Sequence, residues 1–189
     1  HDLQNRIIRA VGTAEERFTE DALRMLRAVR FSAQLDFTVE QQTFEAIQRN
    51  AYLIEKIAVE RIAQELEKMW QSSNPMRGMQ MLIDSHLAKY LPGDFESTLM
   101  KWQHFQAFGC HDGWAFFIIT TNDTSLIKRY KLSNNEKNYI LAIQHALQLI
   151  QNPLSDTELF HVEVNHLQTA ARFAKWMEVN IVDVEQLVA

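Results

Sequence analysis

Apolar residues recur at three- and four-residue intervals along most of this chain, and sustained alternation is absent. In AVERIAQELEKMWQ, Ile62, Leu66, Met69 and Trp70 fall on one side of a helix spanning 58–71. The same spacing predicts helices over about 20–35, 39–50, 76–86, 95–108, 113–121 and 124–130. A long helix over 133–151 is capped by Ser133 and stops before Pro153. A further one runs through 167–177, and residues 183–189 begin another. Thr19 reads as the N-cap of the 20–35 helix, with Glu20 and Asp21 in its first turn, where the helix dipole favours anions. Residues 2–12 are irregular or briefly extended and end at Gly12. Leu91–Asp94 is a turn. No convincing strand, repeat or low-complexity tract is found. The clearest break is Ser72–Pro75, with Pro75 suited to open a helix. The expectation is an all-α, multi-helix array without substantial sheet, divided into a smaller unit at 1–74 and a larger one at 75–189. The chain opens abruptly and closes without a stop signal, as a piece of a longer protein would.

Composition narrows this further. Of 189 residues 47% are hydrophobic, enough for a real core, while only 5 Gly and 3 Pro argue against a turn-rich sheet fold. The single cysteine, Cys110, excludes an internal disulfide and fits a reducing cytoplasm. The longest apolar run, near Trp114–Ile119, falls far short of the roughly 18 residues of a membrane span. The net charge of −5 speaks against nucleic acid as a partner, but the charge is uneven. Residues 1–31 hold six Arg, no Lys and five acids, whereas the rest holds 13 bases and 19 acids. Arg is favoured where a planar fork must meet a base or a phosphate.

That Arg-rich start contains the densest chemistry, Thr19–Phe31, TEDALRMLRAVRF. At about 100° per residue and with Arg24 at zero, Asp21 falls near +60°, Arg27 near −60° and Arg30 near −120°. Ala22, Leu26, Val29 and Ala33 take the opposite side. Asp21, Arg24 and Arg27 thus share a polar face, and Arg30 sits at its apolar edge, with its stem along that edge. Cytosine and adenine both present an amino donor beside a ring-nitrogen acceptor. A carboxylate accepts from the first and a guanidinium donates to the second. Uracil and guanine place a carbonyl where the amino group would be. Each buried mismatch of that kind costs about 1–3 kcal/mol. An Asp/Arg pair is therefore able to accept C and A and reject U and G without a nucleic-acid template. The plain alternative is an amphipathic helix laced with ion pairs worth a few tenths of a kcal/mol each.

The residues also carry a resemblance. Asp2–Leu3, Ile8–Arg9–Ala10–Val11–Gly12, Arg17–Phe18 and the run Glu20–Phe31 resemble the nucleotide-selecting motif of class II tRNA nucleotidyltransferases, the CCA-adding enzymes and their bacterial poly(A) polymerase relatives. Val59–Glu60–Arg61–Ile62 with Glu65–Leu66 and Lys68 is similar to the next motif of that family. The resemblance implies a neck (1–74) carrying the base-recognition helix and a helical body (75–189), which near its C-terminus begins a tail. It implies nucleotide-binding roles for Asp21 and Arg24 as the base-reading pair, for Arg27 and Arg30 on phosphates, and for Glu20 in orienting Arg24 or the helix start. Glu60 and Arg61 would brace the helix, with simple surface ion pairing as an equal alternative. The whole enzyme would add C, C and A to tRNA 3′ ends from CTP and ATP. An A-adding, CC-adding or poly(A) relative shares the same helix.

The family's Mg²⁺-dependent phosphoryl transfer needs a Gly-rich strand–turn with Asp-x-Asp and an Arg-Arg-Asp motif. Neither is in this sequence. No catalytic residue and no metal ligand is therefore expected here, and the fragment alone is expected to be inactive. Its partners would be the tRNA 3′ end, CTP and ATP, with no membrane; a homodimer is left open. From another class, the chain reads as a noncatalytic all-α scaffold for RNA or protein. His111–Asp112 suggests a metal phosphohydrolase dyad, but His86, His104 and Asp123 have no matching spacing, and a turn ahead of the next helix is the simpler reading. His161 and His166 read as scattered residues and Cys110 as inert. Trp102, Phe105, Phe108, Trp114, Phe116 and Phe117 read first as core and second as a platform for RNA bases.

Overall fold

The computed structural model describes residue 2, residues 4–151 and residues 162–180. Among the described residues the chain is all-α apart from one two-residue parallel pair, β1 (Ile7–Ile8) against β2 (Thr38–Val39). Reading no strand missed this pair. Its partners are 31 residues apart, and Ile7 lies opposite Thr38, Ile8 opposite Val39. α1 (Ala14–Glu20) and α2 (Leu23–Leu35) follow β1, and α3 (Gln41–Asn50) follows β2. α4 (Val59–Trp70) and α5 (Pro75–Asp84) pack on α2. α6 (Phe95–Thr98), α7 (Asp112–Thr121), α8 (Leu126–Arg129), α9 (Asn134–Gln151) and α10 (Val164–Trp176) complete the described α-helices, with α9 packed between α7 and α10.

Several ends follow directly from local chemistry. Asn74 Oδ1 accepts the Arg77 amide at 3.1 Å, and Pro75 takes the first helical position of α5. Ser133 and Glu136 form a reciprocal cap at the start of α9: Ser133 N donates to Glu136 Oε2 at 2.6 Å, and Glu136 N to Ser133 Oγ at 3.3 Å. The stop expected at Pro153 and the helix expected at 183–189 lie outside the described residues, as does His161. Two expected helices are broken. The helix expected over 20–35 is two, because Asp21 leaves the α-region (φ −149°, ψ 99°) between α1 and α2. The helix expected over 95–108 closes after one turn and tightens into 3-10 geometry over Leu99–His104. There the Thr98 hydroxyl turns back on the carbonyls of Asp94 and Phe95, a local competitor for helical geometry.

The buried core is continuous across residues 74 and 75. Trp70 of α4 stacks on Trp102 with centroids 5.3 Å apart and meets Trp114 edge-on at 4.8 Å. Phe116 lies against Phe105 at 4.8 Å and against Phe173 of α10 at 5.0 Å. Five of the six aromatics singled out in the sequence are buried here. Phe108 is the exception: it is exposed and stacked under the Arg172 guanidinium. Gly113 permits the close approach of α7 to α4, since a Cβ there would lie 2.7 Å from Trp70 Cβ. No helix among the described residues is long and apolar enough to cross a membrane.

Candidate functional site

The break at Asp21 shapes the polar end of α2. The Asp21 amide still donates to the Arg17 carbonyl and finishes α1. Its carboxylate then begins the next helix: Oδ1 accepts the Leu23 amide at 3.1 Å. Glu20 and Asp21 therefore belong to the end of α1 and to the junction. Thr19 is not the N-cap; its hydroxyl donates to the Glu15 carbonyl at 2.8 Å. From Leu23 onward the helical pattern holds, with Leu26, Val29 and Ala33 buried and Arg24 and Arg27 outward.

Ion pairs cross between these residues. Asp21 Oδ2 accepts from Arg61 Nη2 of α4 at 3.3 Å. Arg24 Nη1 lies 3.4 Å from Glu20 Oε2, which also takes Arg17 Nη1 at 3.1 Å. Arg17 Nε in turn donates to the Val11 carbonyl at 3.0 Å, tying the loop after β1 to α1. Asp21 and Arg24 thus leave one turn of chain, the Arg24 amide on the Asp21 carbonyl, with a different ionic partner each. Lys131 reaches Glu60 Oε1 at 2.7 Å and holds that carboxyl below its ordinary range.

Arg27 and Arg30 share a second anchor. Glu65 of α4 is buried, its side chain 7% exposed. Its Oε2 accepts Arg30 Nε at 2.7 Å, and its Oε1 lies 3.6 Å from Arg27 Nε. Arg30 also donates to Gln34 at 2.8 Å and stacks on Phe31. Its side chain is only 14% exposed, whereas that of Arg27 is 44% exposed. Arg30 is thus committed to Glu65 and Gln34, and Arg27 keeps an open head.

A cleft of about 270 Å³ lies between β1, α1, α2 and α3. Ile8, Val11, Phe18, Ala28 and Phe31 give it an apolar floor. Its charged lining is cationic throughout: Arg9, Arg17, Arg24 and Arg27. Arg9 is paired with Asp2 and Glu40, and Ala10 N donates to Thr43 Oγ1 at the same wall. The arrangement offers an apolar surface with guanidinium donors around it; Arg24 and Arg27 line it, whereas Asp21 lies outside the lining, one turn from Arg24, with its carboxylate on Leu23 N and Arg61. Sequence reading placed Arg9 and Arg17 in the nucleotide-selecting motif and Glu65 in the next one, but gave none of the three a role at the site. A signal for Glu65 was available: it falls on the apolar stripe of α4 beside Ile62, Leu66 and Met69, where a carboxylate requires a buried counter-charge.

The His111–Asp112 dyad is a structural turn. Asp112 is buried at the first position of α7 and accepts the Phe108 and Gly109 amides at 2.8 Å and the Tyr139 hydroxyl. His111 turns the other way, to Glu67 Oε1 at 3.3 Å.

Residues 36–95 match the family model described as the probable RNA and SrmB-binding site of polymerase A. The CCA-adding enzyme of Ligilactobacillus salivarius is 41% identical over 92% of this chain and 46% of its own length. That of Lactiplantibacillus plantarum is 39% identical over the same shares. The crystal structure of the Bacillus stearothermophilus CCA-adding enzyme in complex with CTP superposes with a TM-score of 0.79 at 30% identity, over 93% of this chain and 47% of that one. The Thermotoga maritima CCA-adding enzyme complexed with tRNA shares the fold, with a TM-score of 0.63 at 20% identity, over 99% of this chain and 56% of that one. The chain spans about half the length of the curated relatives it matches. An arginine-lined cleft beside an Asp–x–x–Arg junction lies on a helical scaffold that is similar, along nearly the whole chain, to about half of each of these CCA-adding enzymes.

Proposed function

We propose that this chain is the nucleotide-selecting, tRNA-supporting helical portion of a template-independent CCA-adding nucleotidyltransferase, which extends tRNA 3′ ends with C, C and A from CTP and ATP. The observation that carries the reading is the Asp21–Arg24 junction at a cationic cleft with an apolar floor. Asp21 accepts from the exocyclic amino group of C or A, and Arg24 donates to the adjacent ring nitrogen. Arg27, with an open guanidinium on the same side, takes phosphate oxygens. Glu20 sets the direction of Arg24 through their ion pair. Arg30 contributes through Glu65, the carboxylate it shares with Arg27. The residues before Asn74 do the reading, and those after Pro75 form the supporting body.

Bidentate matching decides selectivity. A U or G edge would turn a carbonyl toward Asp21 and leave two acceptors face to face, a loss of about 1–3 kcal/mol per unpaired group, or tenfold and more. Phosphoryl transfer in this class is supplied by divalent metal, Mg²⁺, on a carboxylate pair. The acids of this region are engaged otherwise: Glu15 with Arg49, Glu20 with Arg17 and Arg24, Asp21 with Arg61, Glu65 with Arg30. That donor set does not fit a two-metal centre, so these residues select and hold while metal and reacting phosphates are handled elsewhere in the enzyme.

The test is incorporation by the full-length enzyme carrying Asp21→Ala or Arg24→Ala, with each of the four nucleoside triphosphates. Relaxed exclusion of UTP and GTP supports the reading; unchanged incorporation of all four overturns it. CTP alone, ATP alone and both together separate CCA addition from A-only, CC-only and poly(A) synthesis.

A further inference from the structure

A second charged groove lies in the body, outside the cleft and outside the segment matched by the RNA-binding family model. It is formed by α8, the turn that follows and the first turns of α9, and holds about 660 Å³. Lys128, Lys131 and Lys137 line it around a floor of Ile127, Leu132 and Leu141, and no carboxylate is in its lining. This is a concentration of positive charge on a chain whose net charge is −5. Among the described residues Lys128 and Lys137 have no acidic partner within ion-pair distance, while Lys131 holds Glu60. Of the nearby acids, Glu136 is bound to the Ser133 amide and Asp123 lies against Ser125 and Arg129. Lys131 also adopts a left-handed backbone (φ 52°), a conformation that Gly or Asn accepts more readily than Lys.

The groove is joined to the reading junction by side-chain contacts. Lys131 grips Glu60, and the next residue of α4, Arg61, grips Asp21. A polyanion lying along the lysines would therefore run toward the residues that read the base. Lysine is a compact point charge suited to backbone phosphates without regard to sequence.

We infer that the Lys128–Lys131–Lys137 groove binds the sugar-phosphate backbone of the RNA whose 3′ end is extended. The inference rests on the reading above for its choice of polyanion. RNA is favoured over an anionic lipid surface because the groove is concave, where a bilayer would need a flat or convex face.

The experiment uses the 189-residue chain and a fluorescein-labelled RNA minihelix with a single-stranded 3′ end, followed by anisotropy between 50 and 200 mM KCl. The triple variant Lys128→Gln, Lys131→Gln, Lys137→Gln removes three exposed charges and touches no core residue. It should bind about tenfold or more weakly at low salt. Its slope of log affinity against log salt should be shallower by roughly 2, the loss of three single-strand phosphate contacts at about 0.7 each. Unchanged affinity and slope would overturn the inference, as would no binding by the unmodified chain at 50 mM KCl. Lysine-dependent capture by phosphatidylserine vesicles without RNA binding would overturn it too. Asp21→Ala with Arg24→Ala in the full-length enzyme tests the base-reading assignment separately: lost nucleotide selection with intact minihelix binding fits both readings. Intact selection with the lysine effect preserved would sink the base reader alone.

Discussion

Glu65 Oε2 accepts Arg30 Nε at 2.7 Å across 35 residues of sequence, and the carboxylate is almost wholly buried. One acid on α4 thereby sets the spacing of two arginines on α2. Removing it leaves Arg30 in a half-closed site with only Gln34 and the Phe31 ring as neighbours. Glu65→Ala should destabilise the fold by about 3 kcal/mol, the low end for a broken buried pair, because Arg27 and in part Arg30 can turn to water. Glu65→Gln keeps the volume and one acceptor and should cost less. Urea denaturation of both variants measures this; equal stability of wild type and Glu65→Ala would show that the pair is not a structural anchor.

Arg61 and Asp21 make the opposite kind of contact. The Arg61 side chain is 48% exposed and that of Asp21 26%, so their bridge is solvated and worth at most about 1 kcal/mol. Its consequence is direction: with Leu23 N on one oxygen and Arg61 on the other, the Asp21 carboxylate is held at both ends. Arg61→Ala should leave the thermal midpoint within a few degrees of wild type while reducing the preference of the full-length enzyme for CTP over UTP. A large loss of stability, or unaltered preference, would contradict this division.

These two contacts show how far the sequence could be read. Asp21, Arg24 and Arg27 stand within seven residues, and their spacing exposes a polar face. The capped helix starts at Asn74–Pro75 and Ser133–Glu136 are likewise local, as is the apolar stripe of α4. Arg61 and Glu65 lie 40 and 35 residues from their partners, a separation that periodicity does not span. The break at Asp21 was hidden because TEDALRM contains neither Gly nor Pro. An aspartate whose own side chain caps the next residue but one interrupts the helix in their place. The β1–β2 pair is too short for an alternating pattern and exists only through the return of the chain after α2.

Gly113 offers a prediction about the body. On a helix, Gly→Ala alone gains up to about 1 kcal/mol. At this position the new Cβ would meet Trp70 Cβ at 2.7 Å and Cε3 at 2.9 Å, and Trp70 is locked between Trp102 and Trp114. Overpacking of that kind costs about 1–3 kcal/mol and outweighs the propensity gain. Gly113→Ala should therefore lower the thermal midpoint and quench or shift the tryptophan fluorescence of the cluster. An unchanged or raised midpoint would mean that α7 shifts away from α4 at little cost.

Glu67 gives the pH dependence. Burial pushes its carboxyl above the ordinary range, with Glu136 adding to the rise, while the hydrogen bond from His111 opposes both. A carboxyl whose folded pKa is raised favours the folded state while protonated. Its contribution is fully present below the unfolded value of about 4.3 and is lost as pH climbs through the folded value. Glu67→Gln keeps an acceptor for His111 and removes the charge that is unfavourably placed at neutral pH. The variant should therefore be more stable than wild type at pH 7, and the difference should shrink toward zero as pH falls below about 4. Urea midpoints at pH 4, 5, 6 and 7 follow this directly. A gain that grows toward acid, or a loss at pH 7, would mean that the contact with His111 outweighs the burial of Glu67.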